Sequence, residues 1–228
     1  MSISAQSTAD RLDIPISVLK QMDNWEDESK GFDCSLQVGD YGIFTPECSE
    51  ATPEDLQHRF IRGNHDNPML CGLHPNYLGD YGYIDGLDMF YLSGGFSVDQ
   101  AWRTPYINWW PEEELNAVDM THAFSLFAEK KPKIMVSHEC PTIIKADALT
   151  NDYKIDVTSS TEIALQDMYD VHQPDIWIFG HHHSRVDKVI GKTHFIGLQA
   201  IGMGPTNDCI FEISGLVWPK VEISSPVS

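Results

Sequence analysis

The sequence predicts a layered α/β domain in which two packed β-sheets are flanked by helices. Two observations carry this. Short apolar runs rich in β-branched and aromatic residues recur along the chain, each closed by glycine or a polar cluster, as in buried strands. Helix-like and strand-like segments alternate early, whereas consecutive strands dominate the later part.

The elements follow in order. Residues 1–6 can form a first strand, with weak alternation. Pro15 suits a helix start, and 17–30 reads as a helix with Val18, Leu19, Met22 and Trp25 on one side. A strand over 34–38 is followed by a polar loop over 45–54 entering a short helix, then by a strand ending at Gly63. Residues 67–80, with Pro and Gly, read as irregular. Residues 81–95 read as two short strands around Asp85-Gly86, and 97–110 as a long functional loop. Pro111 suits a first helical position, and Glu112, Glu113 and Glu114 would complement that helix N-terminus. Leu115, Val118, His122, Leu126 and Phe127 continue its stripe. A strand covers 133–136. Ser159 and Glu162 form a capping-box pattern, opening a helix with Ile163, Leu165, Met168 and Val171 that ends before Pro174. Strands are expected at 175–179, 194–202 and 209–213. The whole reads as one domain over 1–218 with a loosely held Ser/Pro-rich tail over 219–228.

Composition narrows the function. The 228 residues carry 15 basic and 34 acidic side chains, a net charge of −19. That field repels a nucleic-acid backbone, so duplex nucleic acid is disfavoured as a partner. A phosphate substrate stays open, because bound divalent cations invert the sign locally. No run reaches the roughly 18 apolar residues of a membrane span. Met1-Ser2-Ile3-Ser4-Ala5-Gln6 has neither the basic nor the apolar region of a secretory leader. The five cysteines are scattered and never in Cys-x-x-Cys spacing, which suits free thiols and a cytoplasmic location.

Four polar clusters follow the apolar runs. Cys34-Ser35-Leu36-Gln37-Val38 leads into Gly39-Asp40, and Phe60-Ile61-Arg62 into Gly63-Asn64-His65-Asp66. Ile134-Met135-Val136 leads into Ser137-His138-Glu139, and Ile176-Trp177-Ile178-Phe179 into Gly180-His181-His182-His183. Loops leaving the carboxyl ends of strands gather on one edge of a sheet, where ligands bind. Asp, Asn and His there could hold hydrolytic metal ions. The Asn64 amide can ligate without adding negative charge. His65 can protonate a leaving oxygen, with Asp66 fixing its tautomer. In extended backbone, His181 and His183 share a face and His182 points away. Each cluster alone has a plainer reading: a Gly-Asp turn, an Asx turn, a core histidine. Four clusters at matching strand ends favour a common site.

The order Gly-Asp, Gly-Asn-His-Asp, His, Gly-His-x-His resembles the calcineurin-like metallophosphoesterase family over roughly residues 12–215. Gln37-Val38-Gly39-Asp40-Tyr41-Gly42, Gly94-Gly95 with Ser97-Val98-Asp99, Arg103, and Trp109-Trp110-Pro111-Glu112-Glu113 resemble a bacterial and phage branch. The resemblance implies a four-layer αββα fold with a two-metal site at the strand ends. It implies that Asp40 bridges two divalent ions (Mn, Fe or Zn), that Asn64, His138 and His181 complete one shell, and that His183 belongs to the other. It makes His65 the proton donor, with Asp66 behind it, in hydrolysis of a phosphomonoester or phosphodiester by metal-activated water. Arg103 could touch the substrate phosphate, or be a surface arginine of an acidic loop. Trp109, Trp110, Tyr41 and Phe44 could line the pocket or pack the core.

The chain departs from the family at its start. The family opens with Asp-x-His, and no Asp-x-His lies upstream of Asp40. A register anchored on Leu12-Asp13-Ile14 puts Ser7 and Ala9 at those two positions. One metal site then keeps Asp40, Asn64, His138 and His181, while the other keeps Asp40 and His183. Asp10, Asp13 or His182 could substitute. The departure keeps an alternative open: an impaired phosphoesterase that uses this face as a ligand- or protein-binding module.

Overall fold

The computed structural model of the protein describes residues 35–46, 58–149, 158–200, 206–209, 211–213 and 218. The strand and helix expected within 1–30, the positions Ser7, Ala9, Asp10 and Asp13, and the tail over 219–228 lie outside them.

A six-stranded sheet has the order β3-β4-β5-β6-β8-β7. Its strands are β3 (Tyr81–Ile84), β4 (Met89–Leu92), β5 (Ile134–Ser137), β6 (Ile176–Phe179), β7 (Val186–Ile190) and β8 (Thr193–Gly197). The central β4, β5, β6 and β8 run parallel, and β3 and β7 close the edges antiparallel. A second sheet pairs β1 (Ser35–Val38) with β2 (His58–Ile61) in parallel.

Alternation along the strands builds two cores. Phe90, Leu92, Met135, Trp177, Phe179 and Phe195 face one way, where Ala123 and Phe127 of α2 (Ala117–Lys130) and Leu165 and Met168 of α4 (Ser160–Val171) cover them. Met89, Tyr91, Val136, Ile178 and Ile196 face the other way, packed with Ile61, Leu36 and Val38 of the small sheet. The layered two-sheet α/β architecture is the one expected.

Several local readings change. Residues 67–80 contain α1 (Pro68–Leu73), capped by the Asn67 side chain, which accepts from the Met69 and Leu70 N–H groups. The next helix starts at Ala117, not at Pro111, because the Asn116 side chain accepts from the Val118 and Asp119 N–H groups. Glu113 and Glu114 serve elsewhere: Glu113 binds Ser97, and Glu114 accepts from Ser160 and Thr161 at the start of α4. Val118 and His122 are exposed, so the buried stripe of α2 runs through Ala123 and Phe127. Half of the capping box forms. Ser159 accepts the Glu162 N–H, but the Glu162 carboxylate pairs with Lys145 of α3 (Thr142–Ala148) at 2.7 Å. The strand β7 escapes sequence reading because its middle is exposed and polar. The strand expected over 209–213 is replaced by α5 (Thr206–Cys209) and irregular chain over 211–213.

Candidate metal centre

Parallel strands direct their carboxyl ends to one edge, and the loops leaving β1, β2, β5 and β6 meet there. Asn64 Oδ1 lies 3.0 Å from His138 Nε2 and 3.0 Å from His181 Nδ1. The two ring nitrogens are 3.3 Å apart, and Asp40 Oδ1 is 3.6 Å from His138 Nε2. Asn64, His138 and His181 are buried, whereas the Asp40 side chain keeps 15% of its surface exposed.

Close backbone approach makes this convergence possible. A Cβ on Gly39 would strike the His138 ring, and one on Gly63 would strike the Asp40 carboxylate. Backbone strain collects here too. Asp40, His181 and His183 have φ of 57°, 60° and 51°, three of the six left-handed non-glycine residues among those described. Each costs about 1–2 kcal/mol, a cost that surrounding structure sustains chiefly at functional sites.

That strain overturns one expectation. Residues 181–183 are not extended, so the alternate-face rule fails. His181 and His182 both turn inward to Glu139, while His183 is exposed.

Hydrogen-bond logic gives the protonation pattern. His138 Nδ1 faces the Val38 carbonyl at 2.8 Å, which only accepts, so Nδ1 carries the proton and Nε2 offers a lone pair in the neutral ring. His181 Nε2 lies 3.2 Å from Glu139 Oε2, and a carboxylate outcompetes the neutral Asn64 Oδ1 for the ring's one proton, so in the neutral ring Nδ1 offers a lone pair. Asn64 Nδ2 donates to Ser97 Oγ at 2.9 Å, which turns Oδ1 toward both histidines. Three lone-pair atoms therefore face one another at 3.0–3.3 Å, with a carboxylate beside them. Acceptors so close repel unless a cation or an added proton lies among them. Ligand bonds of about 2.0–2.2 Å give shell edges of roughly this length, so the residues fit a divalent cation.

The surroundings hold these atoms in place. Ser97 Oγ donates to Glu113 Oε2 at 2.5 Å, and Ser97 N donates to Glu113 Oε1 at 2.8 Å. Asp40 Oδ1 accepts from the His65 N–H at 3.0 Å. Burial pushes the Asp40 carboxyl up, but His138, His65 and His181, when they carry charge, and the His65 N–H outweigh it and hold the pKa well below the usual range. Glu139 behaves alike: burial raises it, and His181 and His182 bring it well below the usual range. Glu139, Cys140 and His182 also bring potential ligand atoms within 4.8 Å of one another. This buried trio is already hydrogen-bonded internally, His182 Nε2 meeting Glu139 Oε1 at 2.7 Å and Cys140 N donating to the same oxygen at 2.8 Å.

The remaining expected residues sit outward or elsewhere. His65 is partly buried, with Nε2 3.5 Å from Arg103 Nη2. Asp66 does not stand behind it. Its carboxylate accepts from the backbone N–H groups of Tyr41, Gly42, Ile43 and Gly63, binding the loops after β1 and β2 together. Burial and the neighbouring Asp40 push its pKa up. Arg103 gives Nε and Nη2 to Asp99, both at 2.7 Å, and Nη1 to the Asn108 carbonyl at 3.0 Å. Tyr41 stacks on Phe60, and buried Trp110 stacks on half-buried Phe44, so Tyr41 and Trp110 pack the interior.

The sequence alone marks no site role for Ser97 or Glu139, gives Glu113 only a helix N-terminus to complement, and turns His182 away in extended backbone while leaving it as a substitute ligand. Ser97 and Glu113 lie in stretches that carried the family resemblance, and Glu139 adjoins His138, so adjacency was the available signal.

The sequence model of the calcineurin-like phosphoesterases matches residues 23–185, well over half of the chain. Curated protein sequences give no match. The matched stretch contains Asp40, Asn64, His138 and His181 and all the strand ends that present them. The chain therefore belongs to the calcineurin-like phosphoesterase family, metal-dependent hydrolases that act on phosphate esters.

Proposed function

We propose that this protein hydrolyses a phosphomonoester or phosphodiester with a divalent cation held by Asp40, Asn64, His138 and His181. The observation that carries this reading is the facing set of lone pairs on Asn64 Oδ1, His138 Nε2 and His181 Nδ1. A bound divalent cation supplies Lewis acidity toward phosphoryl oxygens and a nucleophilic water at neutral pH. Its N and O ligands suit manganese, iron or zinc.

The chain's residues divide the remaining work. Asp40 and His183 supply ligands toward a second cation, a shell that two protein ligands leave short. His65 donates a proton to the leaving oxygen. The Asp40 oxygen that accepts the His65 N–H fixes the backbone carrying that ring. Arg103 meets the phosphoryl group beside His65, with Asp99 setting the plane of its guanidinium.

One observation favours a second reading, a binding module of the same fold. His183 is exposed, and Asp99 already pairs with Arg103, so the outward half of the site is less committed to chemistry. Metal content by mass spectrometry, measured beside hydrolysis of a chromogenic bis-aryl phosphate in added manganese, separates the two. The enzyme loses turnover after chelation and recovers it on metal return. Metal bound with no turnover in manganese, iron or zinc would leave the binding module.

A further inference from the structure

We propose that Glu139 and His182 are a positioning pair for His181, holding its proton on Nε2 so that Nδ1 is the nitrogen offered to a cation. The proposal deepens the metal-site reading and rests on it.

Glu139 is buried between the two histidines. Two donors fix Oε1: Cys140 N at 2.8 Å and His182 Nε2 at 2.7 Å. That leaves Oε2 beside His181 Nε2, 3.2 Å away. Two acceptors flank the ring, the Glu139 carboxylate at Nε2 and the neutral Asn64 Oδ1 at 3.0 Å from Nδ1; the charged one takes the stronger hydrogen bond, so the neutral ring keeps its proton on Nε2. Its Nδ1 then faces Asn64 Oδ1 and His138 Nε2 as a lone pair. His182 acts at one remove, through the carboxylate. Outer partners of this kind orient a ligand ring and fix its tautomer. The left-handed backbone at His181 and His183 is what turns His182 inward to reach Glu139.

The isosteric Glu139→Gln variant tests this. The backbone donor at Cys140 holds the amide oxygen, so the amide NH₂ faces His181 Nε2. That nitrogen must then accept, which moves the His181 proton to Nδ1. In metal-free protein, long-range proton–nitrogen NMR should show His181 protonated on Nε2 in the wild type and on Nδ1 in Glu139→Gln. Calorimetry with Mn²⁺ alone should show affinity lowered about 10–100-fold in Glu139→Gln and His182→Leu. His182→Gln keeps a donor near the Nε2 position and should stay within about threefold of wild type.

A wild-type His181 protonated on Nδ1 overturns the proposal, and this measurement needs no variant to fold. Folded Glu139→Gln with unchanged tautomer and Mn²⁺ affinity also overturns it. Equal losses in His182→Leu and His182→Gln would reduce His182 to a packing role and overturn the pair. Wild type that binds no Mn²⁺ would defeat the metal-site reading instead, while the tautomer still decides the positioning claim.

Discussion

The inner and outer halves of the candidate site differ in how their groups are held. Asn64, His138 and His181 are buried, and each is oriented by a partner that leaves one choice of donor and acceptor: Ser97, the Val38 carbonyl and Glu139. His65, Arg103 and His183 are partly or fully exposed, and Arg103 is bound to its own counter-ion. A preorganised inner half would bind one cation without rearranging, because its lone pairs are already aimed. The outer half has room for a substrate to enter and for groups to change partners. On the proposed reading, the two metal positions of the site would be unequal, the inner one better ligated than the outer.

The sharpest way to break this contrast is to change one residue from each half. Asn64→Ala should remove the inner cation and lower turnover of a bis-aryl phosphate by at least about 100-fold, since the cation supplies both nucleophile and charge stabilisation. His65→Ala should lower turnover by roughly 100-fold, the scale of a lost general acid, while mass spectrometry finds the metal retained. Metal loss in both variants would mean that the halves are not separable.

The loop junction beneath the site gives the next effect, on stability. Asp66→Ala leaves four buried backbone donors without their carboxylate. Unsatisfied buried donors cost about 1–3 kcal/mol each, less where water enters, so urea unfolding should report a loss of roughly 3 kcal/mol or more. A stable Asp66→Ala variant with lowered turnover would instead return Asp66 to the catalytic role expected from sequence.

Smaller again is Ser97→Ala. Ser97 relays Glu113 to the Asn64 amide. Without it the amide can rotate and offer nitrogen in place of Oδ1, so Mn²⁺ affinity should fall about tenfold. An unchanged affinity would show that the two histidines alone orient Asn64.

The strand ends were legible because each apolar run stops at a chemically unusual cluster, and parallel strands bring such ends together. The helix starts were less legible. Glu112 to Glu114 look like an N-terminal turn, but Asn116 caps α2 and two of the glutamates bind partners distant in sequence. No local pattern encodes that. The same holds for Glu139, whose partners lie 42 and 43 positions away. His182 was misread for a conformational reason. The period-two rule assumes extended backbone, and left-handed residues on either side of it break that period.

Arg103 is the mildest test and the one most specific to the outer half. Its fork spans Asp99 and the Asn108 carbonyl, and Nη2 also reaches His65 Nε2 at 3.5 Å. Asp99, in turn, is held below the usual carboxylate range chiefly by its hydrogen bonds to Arg103. If Arg103 binds the phosphoryl group, Arg103→Ala should raise KM about three- to tenfold with metal content unchanged, as expected for a partly exposed charge-assisted contact. Asp99→Asn should raise KM less, because the guanidinium persists but loses its fixed plane. Arg103→Lys should not restore the wild-type value, since a point charge cannot reproduce the fork. Equal KM in all three variants and the wild type would make Arg103 a brace for the loop over 97–110. The outer half would then depend on His65 alone among its proposed substrate contacts.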